Sequence, residues 1–169
     1  ALIKDHAPNV KLLLAGKGPL KEQLQKLAVQ LEVEKMVDFI GYRGDLDQIV
    51  PMCDLAVASS LREGLPVNIM EAMASGLPVV ASANRGHSEL IEDNKCGYVV
   101  PSYDYGTFAR QIIKLYQSKE LRESFGEESV LRMKKYSLSQ VGNELSFIYS
   151  KYMSEETHET KNQYHSAYL

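Results

Sequence analysis

The stretch SLREGLPVNIMEAMASGLPVV, from Ser60 to Val80, places two carboxylates, Glu63 and Glu71, around a proline that can open a helix. Proline suits the first helical position, because its missing N–H would be unbonded there anyway. The amides that follow point out of the helix end, where the dipole adds partial positive charge, so such a start can hold a phosphate. Gly64 keeps that approach free of a side chain. Glu71 falls about one turn further on, sharing a face with Asn68 and Ser75, while Met70, Met73, Ala74 and Leu77 form the apolar stripe. A carboxylate one turn from a bound diphosphate can accept both hydroxyls of a ribose. On local features alone, the same residues also describe a plain strand–turn–helix with a solvated end and a solvated glutamate.

Other chemistry-bearing residues are more isolated. In Arg85-Gly86-His87-Ser88-Glu89, Arg85 could meet a phosphate and His87 a sugar hydroxyl, or both could be solvated loop residues. Asp45-Leu46-Asp47 spells a D-x-D, in which two carboxylates could hold a divalent cation on a diphosphate. Its position at a helix start favours Asp45 as an N-cap with Asp47 in the first turn, so no metal site is expected. Lys17 in Gly16-Lys17-Gly18 lacks the spacing of a phosphate-binding P-loop and reads as a solvated cation. Cys53 and Cys96, the only cysteines, fit no C-x-x-C pattern and read as reduced, partly buried thiols.

Strand ends must bring these groups together. NVKLLLAG (9–16), VDFIG (37–41), DLAVASS (54–60), PVVAS (78–82) and CGYVVP (96–101) are short apolar runs bounded by turn residues. They lack polar alternation, which predicts strands buried on both faces. Between them lie helical patterns: Leu20, Leu24, Leu27, Ala28 and Leu31; then Leu46, Ile49 and Val50; then 67–75; then a turn at SELI. This is the order of an α/β fold: a Rossmann-like, doubly wound parallel sheet with helices on both faces and extra C-terminal helices from Asp104 onward. Ligands bind such sheets at the carboxyl ends of the strands, which selects the loops at 16–20, 41–45, 59–66 and 82–88.

The chain has 169 residues, 44% hydrophobic and 24% charged, enough for one globular domain without staples. Residues 1–153 are expected to form that domain. Residues 154–169 are polar and aperiodic, and read as a disordered tail or one foreign to it. A net charge of −3 argues against a nucleic-acid binder. No apolar run approaches membrane-spanning length. The opening ALIKDHAPNVK reads as the end of a helix turning into a strand, so the chain is expected to be one domain of a longer polypeptide.

Taken together, the motifs resemble those of the retaining family-4 glycosyltransferases. Glu63 and Glu71, followed by EAMASGLPVVAS, are similar to that family's glutamate–seven residues–glutamate signature. NVKLLLAGKGPL resembles its strand and Gly-x-Gly-Pro turn, VDFIGYRGDLDQIVPMCDLAVASS its middle section, and HSELIEDNKCGYVVP its closing section. The pieces occur in the right order from Asn9 to Met153, which makes the set specific where each alone is weak.

The resemblance implies the C-terminal, donor-binding domain of a two-domain GT-B enzyme taking a UDP-, GDP- or ADP-sugar, with no cofactor and no obligatory metal. It assigns the donor ribose to Glu71, the donor sugar to Glu63, and the diphosphate to the helix start Gly64-Leu65-Pro66-Val67, through its free amides. Tyr42 and Arg43 would border the nucleobase, and Gly16 and Gly18 would leave the backbone close to the nucleotide. The acceptor would be a polysaccharide or a lipid-linked glycan, in cell-surface glycan synthesis. That implies a cytoplasmic enzyme, with room for peripheral contact at the membrane face. The family's diphosphate-binding Arg and Lys and its N-terminal acceptor domain precede the segment in hand. This chain alone is therefore expected to bind nucleotide weakly and to transfer nothing.

Two rivals follow from the same residues. AGKGPL supplies the G-x-G of a dinucleotide (NAD-type) module, but Lys21 stands where the third glycine belongs and Asp38 falls inside a strand rather than at its end. A domain of this fold used only for protein interaction would bind no nucleotide at all.

Overall fold

The computed structural model describes the backbone of residues 1–166 and the side chains of residues 1–153. It forms two compact units, 1–131 and 132–169. The first alternates strands and helices: β1 (Leu12–Ala15), α1 (Lys21–Gln30), β2 (Val37–Gly41), α2 (Leu46–Ile49), β3 (Ala56–Ala58), α3 (Val67–Ala74), β4 (Val79–Ser82), α4 (Arg85–Leu90), β5 (Gly97–Val100) and α5 (Tyr105–Gln117). Helix α6 (Lys119–Met133) crosses the boundary, and α7 (Leu138–Ser166) belongs to the second unit. The stretch expected to be a tail begins inside α7, whose backbone is helical to Ser166; residues 167–169 lie outside the described residues.

Every strand pair is parallel, so each connection must cross over through a helix, as an α/β fold requires. β3, β4 and β5 form one ladder, with Val79 opposite Ala56 and Gly97. β1 and β2 form a second ladder, with Leu12 opposite Val37. The strands thus hydrogen-bond in two groups rather than in one continuous sheet.

β4 is buried at all four residues, because α3 packs against it as well as α5 and so both faces are covered. Val80, Tyr98, Val100, Leu115 and Phe125 make the central cluster, bordered by Leu55, Phe108, Ile112 and Leu121. The rings of Tyr98 and Phe125 meet at 5.4 Å between centroids, tilted. Arg122 ties α6 to the end of α5 by donating to the carbonyls of Leu115 and Tyr116 at 2.7 and 3.2 Å.

Burial differs from expectation at the start of the chain. Leu12 and Leu13 of β1 are exposed, as are Leu20, Leu24, Leu27 and Leu31 around α1, where only Ala28 of the helix is buried. The periodicity identified the helix correctly, but its leucines are left partly exposed. Cys53 is half-buried and Cys96 buried, and neither is in a disulfide. Burial, and then the charge of Asp54, pushes the Cys53 thiol up from its ordinary value.

Candidate functional site

The loop after β3 carries the glutamate pair. Pro66 is not the first helical residue but the N-cap, with φ −74° and ψ 102°. An extended ψ there delays the helix to Val67. Proline has no side-chain acceptor to offer, so the first turn closes on its carbonyl alone: the amides of Ile69 and Met70 each donate to Pro66 O at 3.1 Å. The amides of Val67 and Asn68 have no partner among the described residues. They are the open donors that a helix start presents to an anion.

Gly64, Leu65 and Val67 are exposed around the buried Pro66, Glu63 is half-buried, and Glu71 is exposed with Asn68 and Ser75. The buried stripe of α3 is Ile69, Ala72 and Met73, while Ala74 faces outward and Met70 is half-buried. That is one residue out of phase with the sequence expectation. The run Ile69-Met70-Glu71-Ala72-Met73-Ala74 is apolar enough for either phase, and docking on β3, β4 and α4 chooses. The helix ends in a Schellman motif: Leu77 N–H donates to Ala72 O and Gly76 N–H to Met73 O, with Gly76 at φ +81°. The second Gly-Leu-Pro therefore stops the helix and launches β4.

Helix α4 begins three residues before the expected turn at SELI, because Asn84 caps it: Asn84 Oδ1 accepts from His87 N–H at 2.9 Å. Arg85 is exposed and unpaired among the described residues. His87 departs from expectation, being 1% exposed. Its Nδ1 lies 2.7 Å from Ser82 O, so the ring is turned into the protein and not toward a sugar. Ser82 Oγ and Asn84 Nδ2 both donate to Ser60 O, at 2.6 and 2.9 Å. Gly86 sits directly against the backbone of Glu63 and Gly64. Ser60, Ser82, Asn84 and Gly86 escaped the sequence reading. The one available signal was Asn84, a cap-forming residue immediately before Arg85.

The loops after β1 and β2 form a second group. Gly16, at φ +122°, donates to Gly41 O at 2.6 Å and turns the chain sharply after β1. Gly18 has open space around it. Tyr42 is exposed, with Lys17 Nζ 5.8 Å from its ring centroid. Arg43 grips Asp45 through both carboxylate oxygens, Nε to Oδ1 at 2.8 Å and Nη2 to Oδ2 at 2.5 Å. Asp45 therefore occupies the N-cap position of α2 without capping it; the bidentate guanidinium takes its acceptors instead. The pair raises the Arg43 pKa and lowers that of Asp45, chiefly through the hydrogen bond. No hydrogen bond or ion pair joins Gly16, Gly18, Tyr42 or Arg43 to the Glu63 loop among the described residues.

The sequence matches a family model, "Glycosyl transferases group 1", over residues 1–131, the whole of the first unit. The chain belongs to that family. EpsD of Bacillus subtilis, named as a glycosyltransferase, is 37% identical over 159 residues, covering 94% of this chain and 42% of EpsD. The poly(ribitol-phosphate) alpha-N-acetylglucosaminyltransferase of Staphylococcus aureus is 32% identical, covering 75% of this chain and 25% of its own. Among solved structures, S. aureus TarM in complex with fondaparinux, alpha-GlcNAc-glycerol and UDP superposes with a TM-score of 0.80 at 30% identity, over 86% of this chain and 30% of TarM. Anabaena HepE in complex with UDP gives 0.78 at 25% identity, over 85% and 42%. This glycosyltransferase-family chain thus spans less than half the length of these relatives. The dinucleotide reading, already failing at Lys21, is not favoured.

Proposed function

We propose that this chain is the donor-binding domain of a retaining glycosyltransferase that moves a sugar from a nucleoside diphosphate sugar to a polysaccharide or lipid-linked acceptor in cell-surface glycan synthesis. The observation that carries the reading is the start of α3: two open amides, Val67 and Asn68, with Glu63 before them and exposed Glu71 about one turn beyond. UDP is the favoured nucleotide, since solved relatives at 25% and 30% identity are complexes with it.

In this reading the amides of the helix start and the dipole behind them stabilise the charge that develops on the departing β-phosphate. Arg85, and an Arg and Lys contributed by polypeptide outside this chain, add cationic charge. Glu71 accepts the ribose hydroxyls and Glu63 orients the sugar, so both position and neither transfers a proton. Tyr42 stacks near the base, and Gly16 and Gly18 leave room for it.

The reading calls for no obligatory metal, and the pairing of both Asp45 oxygens with Arg43 supports a structural use of the D-x-D. The acceptor domain, and any contact with the cytoplasmic face of a membrane, belong to the longer enzyme. No described helix is long and apolar enough to cross a membrane.

Calorimetry with UDP, GDP and ADP tests the reading. UDP should bind best and weakly, and a chelator should not change its affinity. Glu71→Ala should weaken binding about tenfold or more, since hydrogen bonds to a charged group contribute about 1.5–3 kcal/mol. No heat with any nucleotide would overturn the site.

A further inference from the structure

Apart from Arg85, the segment from Ser82 to His87 contributes nothing directly to the proposed ligand, yet its polar groups converge on the loop that holds Glu63. Two donors, Ser82 Oγ and Asn84 Nδ2, meet on the single carbonyl of Ser60, where that loop leaves β3. At the loop's other end Gly86 fits where no side chain could: a Cβ there would lie 2.5 Å from Gly64 O and 3.0 Å from both Glu63 O and Glu63 Cβ. The loop is therefore gripped on both sides of Glu63 by one short segment.

His87 holds that segment in shape. Ser82 O can only accept, so Nδ1 carries the proton and donates to it across 2.7 Å. Asn84 is oriented by its own two bonds, Oδ1 accepting from His87 N–H and Nδ2 donating to Ser60 O; the flipped amide would set two oxygens against each other. Asn84 Nδ2 also lies 2.9 Å from Nδ1; with both nitrogens carrying protons, this approach is a contact and not a hydrogen bond. With Nδ1 protonated, Nε2 is a bare lone pair, buried and without a partner among the described residues. An unmet buried acceptor is a standing cost to the fold. A purely structural site would be better filled by a residue without it, unless the Nδ1–H bond is what the position requires.

We propose that Ser82, Asn84, Gly86 and His87 form a clamp that fixes the Glu63 loop, making these four the positioning residues for the donor sugar. The functional consequence rests on the donor-domain reading, whereas the clamp itself is defined by geometry alone. Losing one of the two donors on Ser60 O loosens the loop, and with it the carboxylate that faces the sugar. Asparagine at position 87 can place an amide N–H where Nδ1–H lies, so it preserves the clamp. Leucine cannot.

Hydrogen exchange read by mass spectrometry on the peptide 61–67 tests the clamp without ligand. Ser82→Ala and Asn84→Asp, the latter keeping the cap acceptor but losing the donor to Ser60, should each speed exchange in that peptide about tenfold. The β4 and β5 peptides should stay protected. Unchanged exchange in the loop would overturn the clamp. His87→Leu should loosen the loop and His87→Asn should not; equal loosening by both would overturn Nδ1–H as the anchor. Calorimetry on the same variants should show UDP-sugar affinity falling further than UDP affinity, and equal losses would overturn the link to the sugar. If the unsubstituted chain binds neither ligand, the donor-domain reading fails, while loop exchange still decides the clamp.

Discussion

Arg43 and Asp45 show how a residue's type can be read correctly and its partner missed. Sequence alone gave Asp45 two uses, helix cap or metal ligand, and both need the oxygens that Arg43 occupies. A guanidinium two residues away is not at helical spacing, so no periodic rule points to it. The hydrogen bond from Arg43 holds the Asp45 carboxyl below the ordinary carboxylate range. A group with a lowered folded pKa contributes stability above its unfolded pKa, and that contribution is lost as pH falls through the folded value. Carboxyl-carbon NMR should therefore find Asp45 titrating below the ordinary aspartate range, with Arg43→Gln returning it toward that range. An unchanged Asp45 titration in Arg43→Gln would contradict the pairing. The glutamates were more legible: Glu71 stands exposed on the expected face, because a helix started near a proline fixes where the residue one turn later points.

Secondary structure was legible because each strand is a short apolar run between turn residues, and all five appear where the sequence puts them. Phase and tight contacts were not, because they depend on what docks from far along the chain. Glycine makes the point sharply. Gly64 and Gly97 look alike in sequence, each beside a strand or turn, yet a Cβ on Gly64 would meet nothing within 4 Å, whereas one on Gly97 would lie 2.1 Å from Val79 O. Gly97 lies opposite Val79 in the β4–β5 ladder, which carries the core. Gly97→Ala should destabilise by about 1–3 kcal/mol or more, as overpacking does. Gly64→Ala should stay within about 0.5 kcal/mol of the parent in denaturant melts, as a surface change does. Equal losses would mean that the approach of β4 to β5 is not the constraint described here.

At the scale of the molecule, packing is lopsided. β4 is covered on both faces, whereas β1 pairs only with β2, and the leucines around α1 stand in the open. Open strand edges and bare apolar helix faces are what natural domains ordinarily cover or charge. The periodicity at Leu20, Leu24, Leu27 and Leu31 is that of a buried face, so sequence and exposure disagree about this helix. The relatives are more than twice the length of this chain, which covers 42% of EpsD. The two facts are reconciled if the apolar face of α1 is a contact for polypeptide that this chain does not contain. Leu24→Ala and Leu27→Ala separate the cases. In this chain each should cost no more than about 0.5 kcal/mol, because each leucine is already 42–44% exposed. In a polypeptide of the relatives' length the same substitutions should cost about 2–5 kcal/mol each, the penalty of a buried leucine. Denaturant melts of both lengths provide the measurement. Small losses in both would leave the helical leucine stripe without a packing role, and large losses in the short chain would show α1 already docked.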